Sequence, residues 1–256
     1  MVNVSGAKYA DAPPPNPNAR MPVGAALPPP SEFDSPVMVT ASARQDGSGT
    51  AFAIHSEGYW LTAKHAVAGC ETVRLHIRSN AYIESQDIRL HPDYDLALIK
   101  ADYAPDPVSL DLRSDLIVGS EGYFVGFPKG APGEAAGLLH KRSNLQSSGP
   151  RRTKDSVIVW TELGRTSGIG PSLAGISGGP VYDQAGQVRG LVLAESPRRG
   201  RIYSAAPHTI KAFLDDQGLD IQGTPAGAFT TRTYGAASDR VRRHGQVVKL
   251  ACQTSP

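Results

Sequence analysis

The sequence predicts an all-β protein built from many short strands. Apolar runs rich in Val, Ile and Leu recur along the chain, each roughly four to eight residues long and bounded by turn residues. Glycine (27) and proline (21) are abundant among the 256 residues, as suits a backbone that reverses often. One segment alone carries the periodicity and stop signal of a helix. Hydrophobic residues make up 40% of the chain and charged residues 20%, enough apolar material for a sizeable core. The net charge of +2 argues against a dedicated nucleic-acid binder. The basic clusters Arg151-Arg152, Arg198-Arg199 with Arg201, and Arg240 with Arg243 read as solvated surface charge. No apolar run is long enough to span a bilayer.

Residues 1–36 are dominated by Pro, Ala, Asn and Gly, with proline triplets at 13–15 and 28–30. Such a segment cannot bury enough apolar surface to fold alone, so it predicts an extended arm. The arm would lie along the domain or tether it to something upstream, a membrane included. From Pro36 the character changes. Residues 37–43 read as a strand, Gly47-Ser48-Gly49 as a turn, and 50–55 as a second strand of small residues. A tight turn at Glu57-Gly58 leads to a strand at 59–62, and further strands fall at 73–77, 83–89 and 96–100. Residues 101–115, with Pro105, Pro107 and several aspartates, cross to a second series at 121–126, 156–162, 180–183, 187–195 and 201–204. This is the pattern of a barrel or a sandwich. The helix is 208–217, where Ile210, Phe213 and Leu214 share a face and Gly218 ends it. The tail 222–256 reads as polar and mostly loose, with 247–252 either an edge strand or a docked apolar segment.

Cys70 and Cys252 are the two cysteines. Paired, they would close most of the chain into one loop and pin the tail; unpaired, they are two unrelated thiols. Pairing would require an oxidising compartment.

Three motifs carry chemistry. Gly175-Ile176-Ser177-Gly178-Gly179-Pro180 offers a serine on a tight, glycine-flanked turn. A nucleophilic serine needs an exposed hydroxyl and backbone N–H groups aimed at the developing oxyanion, here those of Gly175 and Ser177. Leu61-Thr62-Ala63-Lys64-His65-Ala66 ends an apolar strand on a histidine flanked by small residues. Asp93-Tyr94-Asp95-Leu96-Ala97-Leu98 puts an acid just before an apolar strand, at the mouth of a barrel, where it can accept from a histidine ring N–H. Each alone has a bland reading, as a turn or a structural histidine. Together they run His, Asp, Ser and divide between two β-rich halves.

In these motifs the sequence resembles the chymotrypsin-like peptidases, and among them the bacterial trypsin-like and HtrA-type protease domains. The likeness covers residues 37–218; Gly47 to Phe52 resembles the strand pair before the histidine, 118–128 the start of the second barrel, and 206–218 the closing helix. It implies two six-stranded β-barrels packed at right angles, about 37–104 and 116–205, with the C-terminal helix at 208–217. The protease domain would then be 37–221. It also implies a serine endopeptidase with His65 as general base, Asp95 orienting it, Ser177 as nucleophile, and no metal or organic cofactor. Its partner would be a protein or peptide substrate, in the periplasm or outside the cell, although residues 1–11 show no secretory signal.

The sequence departs from the family at two places. Ile176 stands where trypsin and its secreted relatives carry the Asp that receives a new N-terminus, so activation of that kind is not expected. The segment after Gly218 is too short for the PDZ domain of full HtrA proteases, which implies a lone protease domain. Counting back from Ser177, the pocket floor falls at Pro171 and Ser172, without an acid, so cleavage after Arg or Lys is not expected. Leu193 and Ala194 on the pocket wall suggest a small-to-medium apolar P1 residue. Glu195 either favours a basic residue near the rim or is a solvated strand end. Two rival readings compete with this one. An α/β-hydrolase needs a helix after the serine and its histidine downstream, whereas Pro180-Val181-Tyr182 reads as strand. A catalytically silent scaffold on the protease fold would keep the architecture without the chemistry.

Overall fold

Small and β-branched residues with little charge give the segments after Gly47 their strand character, and alternation decides which face each presents. The structure, a computed structural model, describes residues 23–31, 33–40, 47–78, 81–148, 154–221 and 223–254. Strands β2 (Gly47–His55), β3 (Tyr59–Thr62), β4 (Thr72–Arg78), β5 (Ala81–Leu90) and β6 (Ala97–Ala101) belong to a first barrel. Strands β7 (Glu121–Gly126), β8 (Gly133–Ser148), β9 (Lys154–Arg165), β10 (Pro180–Tyr182), β11 (Val188–Ser196) and β12 (Arg201–Ala205) form the second. The second closes in the order β8-β7-β10-β11-β12-β9, with β9 returning to β8. Both barrels are antiparallel and six-stranded, as the chymotrypsin-like fold requires.

The first barrel takes its sixth strand from an unexpected place. Residues 37–43 were expected to open it. Instead β1 (Pro36–Thr40) runs parallel to β8 at the edge of the second barrel; residues 41–43 lie outside the described residues. The sixth position belongs to β13 (Val247–Gln253), which pairs with β2 on one side and β4 on the other. It alternates as a barrel strand should: Val248, Leu250 and Cys252 are buried, and Lys249 and Ala251 only partly so. Cys70 and Cys252 form a disulfide that ties this strand to the segment after the histidine.

The tail is correspondingly ordered. Helix α2 (Tyr234–Arg243) packs on β8, where Arg242 pairs with Glu134, both nearly buried. Phe229 stacks on Tyr182 with ring centroids 4.8 Å apart and lies 5.5 Å from Tyr123. Helix α1 (Pro207–Asp216) covers the predicted helix except Gln217, which caps it, and starts on Pro207, whose missing N–H costs nothing at a first turn. The arm seats where it is described: Leu27 is buried, and residues 24–27 exchange backbone hydrogen bonds with 116–118 of the second barrel. One apolar cluster joins the barrels, with Phe52, Leu61 and Leu98 of the first packed with Val157, Tyr182 and Leu191 of the second.

Candidate active site

His65 sits on a short 3-10 turn, Lys64–Ala66, that ends β3. Three hydrogen bonds fix its neighbours. The buried Thr62 hydroxyl donates to the Thr50 carbonyl at 2.7 Å, and Lys64 Nζ donates to the carbonyls of His91 and Pro92. Asp95 lies in the loop before β6 and accepts twice from His65: the backbone N–H at 2.8 Å and ring Nδ1 at 2.6 Å. This places the Nδ1 proton toward Asp95 and leaves Nε2 as the free base. The Asp95 side chain is 17% exposed and that of His65 48%.

Burial pushes the His65 imidazole down, but the charge and hydrogen bond of Asp95, with a further push from Asp155, raise it above its ordinary value. Burial likewise pushes the Asp95 carboxyl up, and the His65 charge and both hydrogen bonds hold it lower than usual, helped by Lys64. Asp155, on β9 and only 3% exposed, accepts the Asp95 backbone N–H at 3.1 Å. The acid of the first barrel is thus bonded to an acid of the second.

Ser177 lies in the loop that leads into β10. Thr50 of β2 holds this loop from the opposite barrel. Its N–H donates to the Ser177 carbonyl at 2.9 Å, and its hydroxyl donates to the Gly175 carbonyl at 2.9 Å while accepting from Phe127 N–H at 3.1 Å. Two glycines are required here. Gly178 has φ +86°, and a Cβ would fall 2.1 Å from the Thr50 carbonyl oxygen; Gly175 has φ +98°, with a Cβ 2.7 Å from the Phe127 oxygen. The close packing of Gly178 against Thr62 and Ala63 brings the serine loop onto the segment that bears His65. Ile176 is buried in the second barrel's core, an apolar anchor at the position of the trypsin aspartate. The Ser177 hydroxyl donates to the Leu193 carbonyl at 3.4 Å.

The Ala174 carbonyl accepts from Lys129 N–H at 2.6 Å. Because a trans peptide points its C=O and N–H in opposite directions, the Gly175 N–H faces away from Lys129. Among the described residues neither Gly175 N–H nor Ser177 N–H donates to a protein acceptor. Lys129 makes its bond from a left-handed backbone, φ 52°, the one positive φ among the described non-glycine residues.

A family model described as a trypsin-like peptidase domain matches residues 49–191, more than half of the chain. The chain belongs to the trypsin-like peptidase family. Among curated relatives of this trypsin-like domain, a probable periplasmic serine endoprotease DegP-like of Ectopseudomonas mendocina is 30% identical over 56% of the chain and 28% of its own length. Protease Do-like 1, chloroplastic, of Arabidopsis thaliana is 24% identical over 57% of the chain and 32% of its own length. The chain therefore spans about a third or less of these relatives. Of solved structures, the active form of the Rv3671c protease from M. tuberculosis superposes with TM-score 0.55 at 18% identity, over 80% of this chain and 99% of that one. The HtrA-type protease AlgW with a decapeptide gives TM-score 0.52 at 20% identity, over 66% and 52% of the two chains. These two share the fold.

Of the residues expected to line a specificity pocket, Leu193 is buried in the core, Ala194 and Glu195 follow it on β11, and Ser172 lies beside Glu195. Glu195 is not a solvated strand end. Its Oε1 accepts from the Ser172 hydroxyl at 2.8 Å and from Leu173 N–H at 2.6 Å, so its side chain bridges β11 and the loop before Ser177. Thr50, Lys129 and Asp155 were not singled out by the sequence. Thr50 reads there as one more small strand residue, the Lys129 contribution is a backbone conformation, and Asp155 opens an apolar strand like any charged flank.

Proposed function

We propose that the protein is a serine endopeptidase. The observation that carries this reading is the two-point union of His65 with Asp95 in a domain whose serine loop is held by two hydrogen bonds from Thr50. For attack, the Ser177 hydroxyl leaves the Leu193 carbonyl by rotating about χ1 and donates to His65 Nε2. His65 takes that proton as Oγ bonds to the peptide carbonyl carbon, and Asp95 stabilises the imidazolium. The Gly175 and Ser177 N–H groups donate to the oxyanion. His65 then gives its proton to the leaving amine, an acyl-enzyme forms, and water releases it by the same steps in reverse roles.

The substrate is a protein or peptide, consistent with the decapeptide held by AlgW. The periplasm or cell exterior is the fitting compartment, since the Cys70–Cys252 disulfide persists under oxidising conditions and one relative is described as periplasmic. The resting bond from Ser177 to Leu193 favours one rival, a latent or silent scaffold.

Incubation with a fluorophosphonate, followed by intact-mass measurement, separates the two. One adduct on the wild type and none on Ser177→Ala is the expected result. No adduct on folded wild-type protein would leave the scaffold reading standing.

A further inference from the structure

Beside the serine loop a cavity of about 790 Å³ opens between the first barrel and the tail. Its walls carry four cations, Arg78 of β4, Arg242 and Arg243 of α2 and Lys249 of β13, against one acid, Asp239. Arg242 is already matched, by Glu134 at 2.5 Å and by Asp239 at 2.8 Å. Among the described residues, Arg78, Arg243 and Lys249 have no carboxylate partner, so the cavity is positive. The histidine on its wall agrees. His76 faces Lys249 across the ladder, and burial, Lys249 and Arg74 together push its imidazole below the ordinary value. The cavity also reaches the chemistry, since Phe127 and Gly130 line it. A Cβ on Gly130 would lie 3.3 Å from Lys249 Nζ and 3.8 Å from Ser48 Oγ; one on Gly175 would lie 2.7 Å from the Phe127 oxygen and 3.4 Å from the same Ser48 Oγ. The Lys249 amine and the Gly175 turn thus flank one serine hydroxyl. Arg242, Arg243 and Lys249 all lie beyond the residues 49–191 that define the trypsin-like match, so the site belongs to this chain's tail.

We infer that this cavity binds a carboxylate on the leaving-group side of the substrate, so that cleavage favours peptides with Asp or Glu within a few residues after the scissile bond. The inference rests on the endopeptidase reading and adds a subsite to it. In that reading the residue before the scissile bond lies against β11, whose Leu193 carbonyl holds the Ser177 hydroxyl. The cavity lies toward β2 instead, where Ser48 and Gly130 stand, and a chain leaving past Gly175 runs over its mouth. Strand β13 puts the cation there: Lys249 pairs with Thr50 of β2 on one side and with His76 of β4 on the other. A carboxylate gains charge-assisted hydrogen bonds from Lys249 and Arg243 in a partly enclosed site. A neutral amide gains ordinary ones, and a Lys or Arg meets like charge. A nucleic acid fits less well, because the net charge is only +2 and the cations converge on a cavity instead of running as a stripe.

Two measurements test this. Peptide libraries with a fixed acyl side and varied residues at P1′ to P4′ read the preference in the wild type, in Lys249→Gln and in Arg243→Gln. Arg243 is exposed at the end of α2, so its substitution spares the barrel if that of Lys249 does not. Fluorescence anisotropy of a labelled acidic peptide, its amide counterpart and a single-stranded oligonucleotide with Ser177→Ala reads the cavity without catalysis. The expected result is a ratio of kcat/KM for Glu or Asp over Gln or Asn well above one in the wild type, falling about fivefold in each variant, as loss of one partner of a partly exposed ion pair implies. Ser177→Ala should bind the acidic peptide more tightly than the amide one, and adding Lys249→Gln should shrink the difference. A wild type that labels with fluorophosphonate and cleaves peptides, yet ignores acids after the scissile bond, overturns the inference and leaves the endopeptidase standing. Failure to label, with acidic-peptide binding that depends on Lys249, removes the endopeptidase reading and keeps the carboxylate site. An oligonucleotide that binds more tightly than the acidic peptide, and is lost in Lys249→Gln, overturns the peptide as occupant.

Discussion

Asp155 adds a negative charge to a site that already contains the His65–Asp95 pair, and it does so from the other barrel. Its bond to the Asp95 N–H orients the loop, while its charge acts on the imidazole. The two effects separate in Asp155→Asn, which keeps an acceptor and loses the charge. His65 must be neutral to take the serine proton, so activity falls as pH drops through its pKa. That pKa is raised, so the acid limb of kcat/KM in the wild type should lie above the ordinary imidazole value of 6.5. Removing the Asp155 charge withdraws one of the groups that raise it, and the limb should move to lower pH. A purely structural role would lower kcat and leave the limb in place. The stability consequence has its own sign: a raised histidine pKa favours the folded state below the unfolded value, and that gain disappears as pH rises through the folded one. The motif residues of the site were legible in sequence because each belongs to a short, unusual string. Asp155 was not, because an acid at the start of a strand is what a turn also supplies.

At the scale of elements, the strands hardest to read were those whose composition hides their setting. Strand β8 was not foreseen; its Gly133, Ala135, Ala136 and Gly137 have little β-propensity, and its length comes from pairing with β7 and β9. Strand β13 left two readings open because a short apolar run in a polar tail does not say which edge it joins. The first barrel answers: β2 and β4 leave a gap that only β13 fills. Its disulfide closes a loop with sequence separation 182, so the cross-link restricts an unfolded chain strongly. Cys252→Ser should therefore cost about 2–5 kcal/mol in unfolding free energy, read as a lower denaturant midpoint. The same variant under reducing conditions should show no further loss, whereas the wild type should fall to meet it. A wild type indifferent to reductant would mean that β13 is held by its ladder and apolar face alone.

For the whole molecule, the question is whether two barrels behave as one. Three features bind them: the apolar cluster that runs from Phe52 to Tyr182, the Thr50 bonds to the serine loop, and the bond from Asp95 to Asp155. The tail adds a fourth, since Phe229 and α2 pack on the second barrel and β13 completes the first. A fold so cross-tied has no surface at which one half can open without exposing the core of the other, and unfolding should be a single cooperative step. The chain supplies its own reporters. Its two tryptophans are buried one in each barrel: Trp60 donates to the Tyr103 carbonyl at 3.0 Å in the first, and Trp160 donates to the Ser204 hydroxyl at 2.9 Å in the second. In Trp160→Phe the remaining fluorescence follows the first barrel, and in Trp60→Phe the second. Each substitution will lower stability, so the comparison is made within a variant, between fluorescence and far-UV circular dichroism in urea. Coincident curves in both variants are expected. If fluorescence in Trp60→Phe lags behind the dichroism, the second barrel survives alone, and the site that spans the two is lost before the fold is.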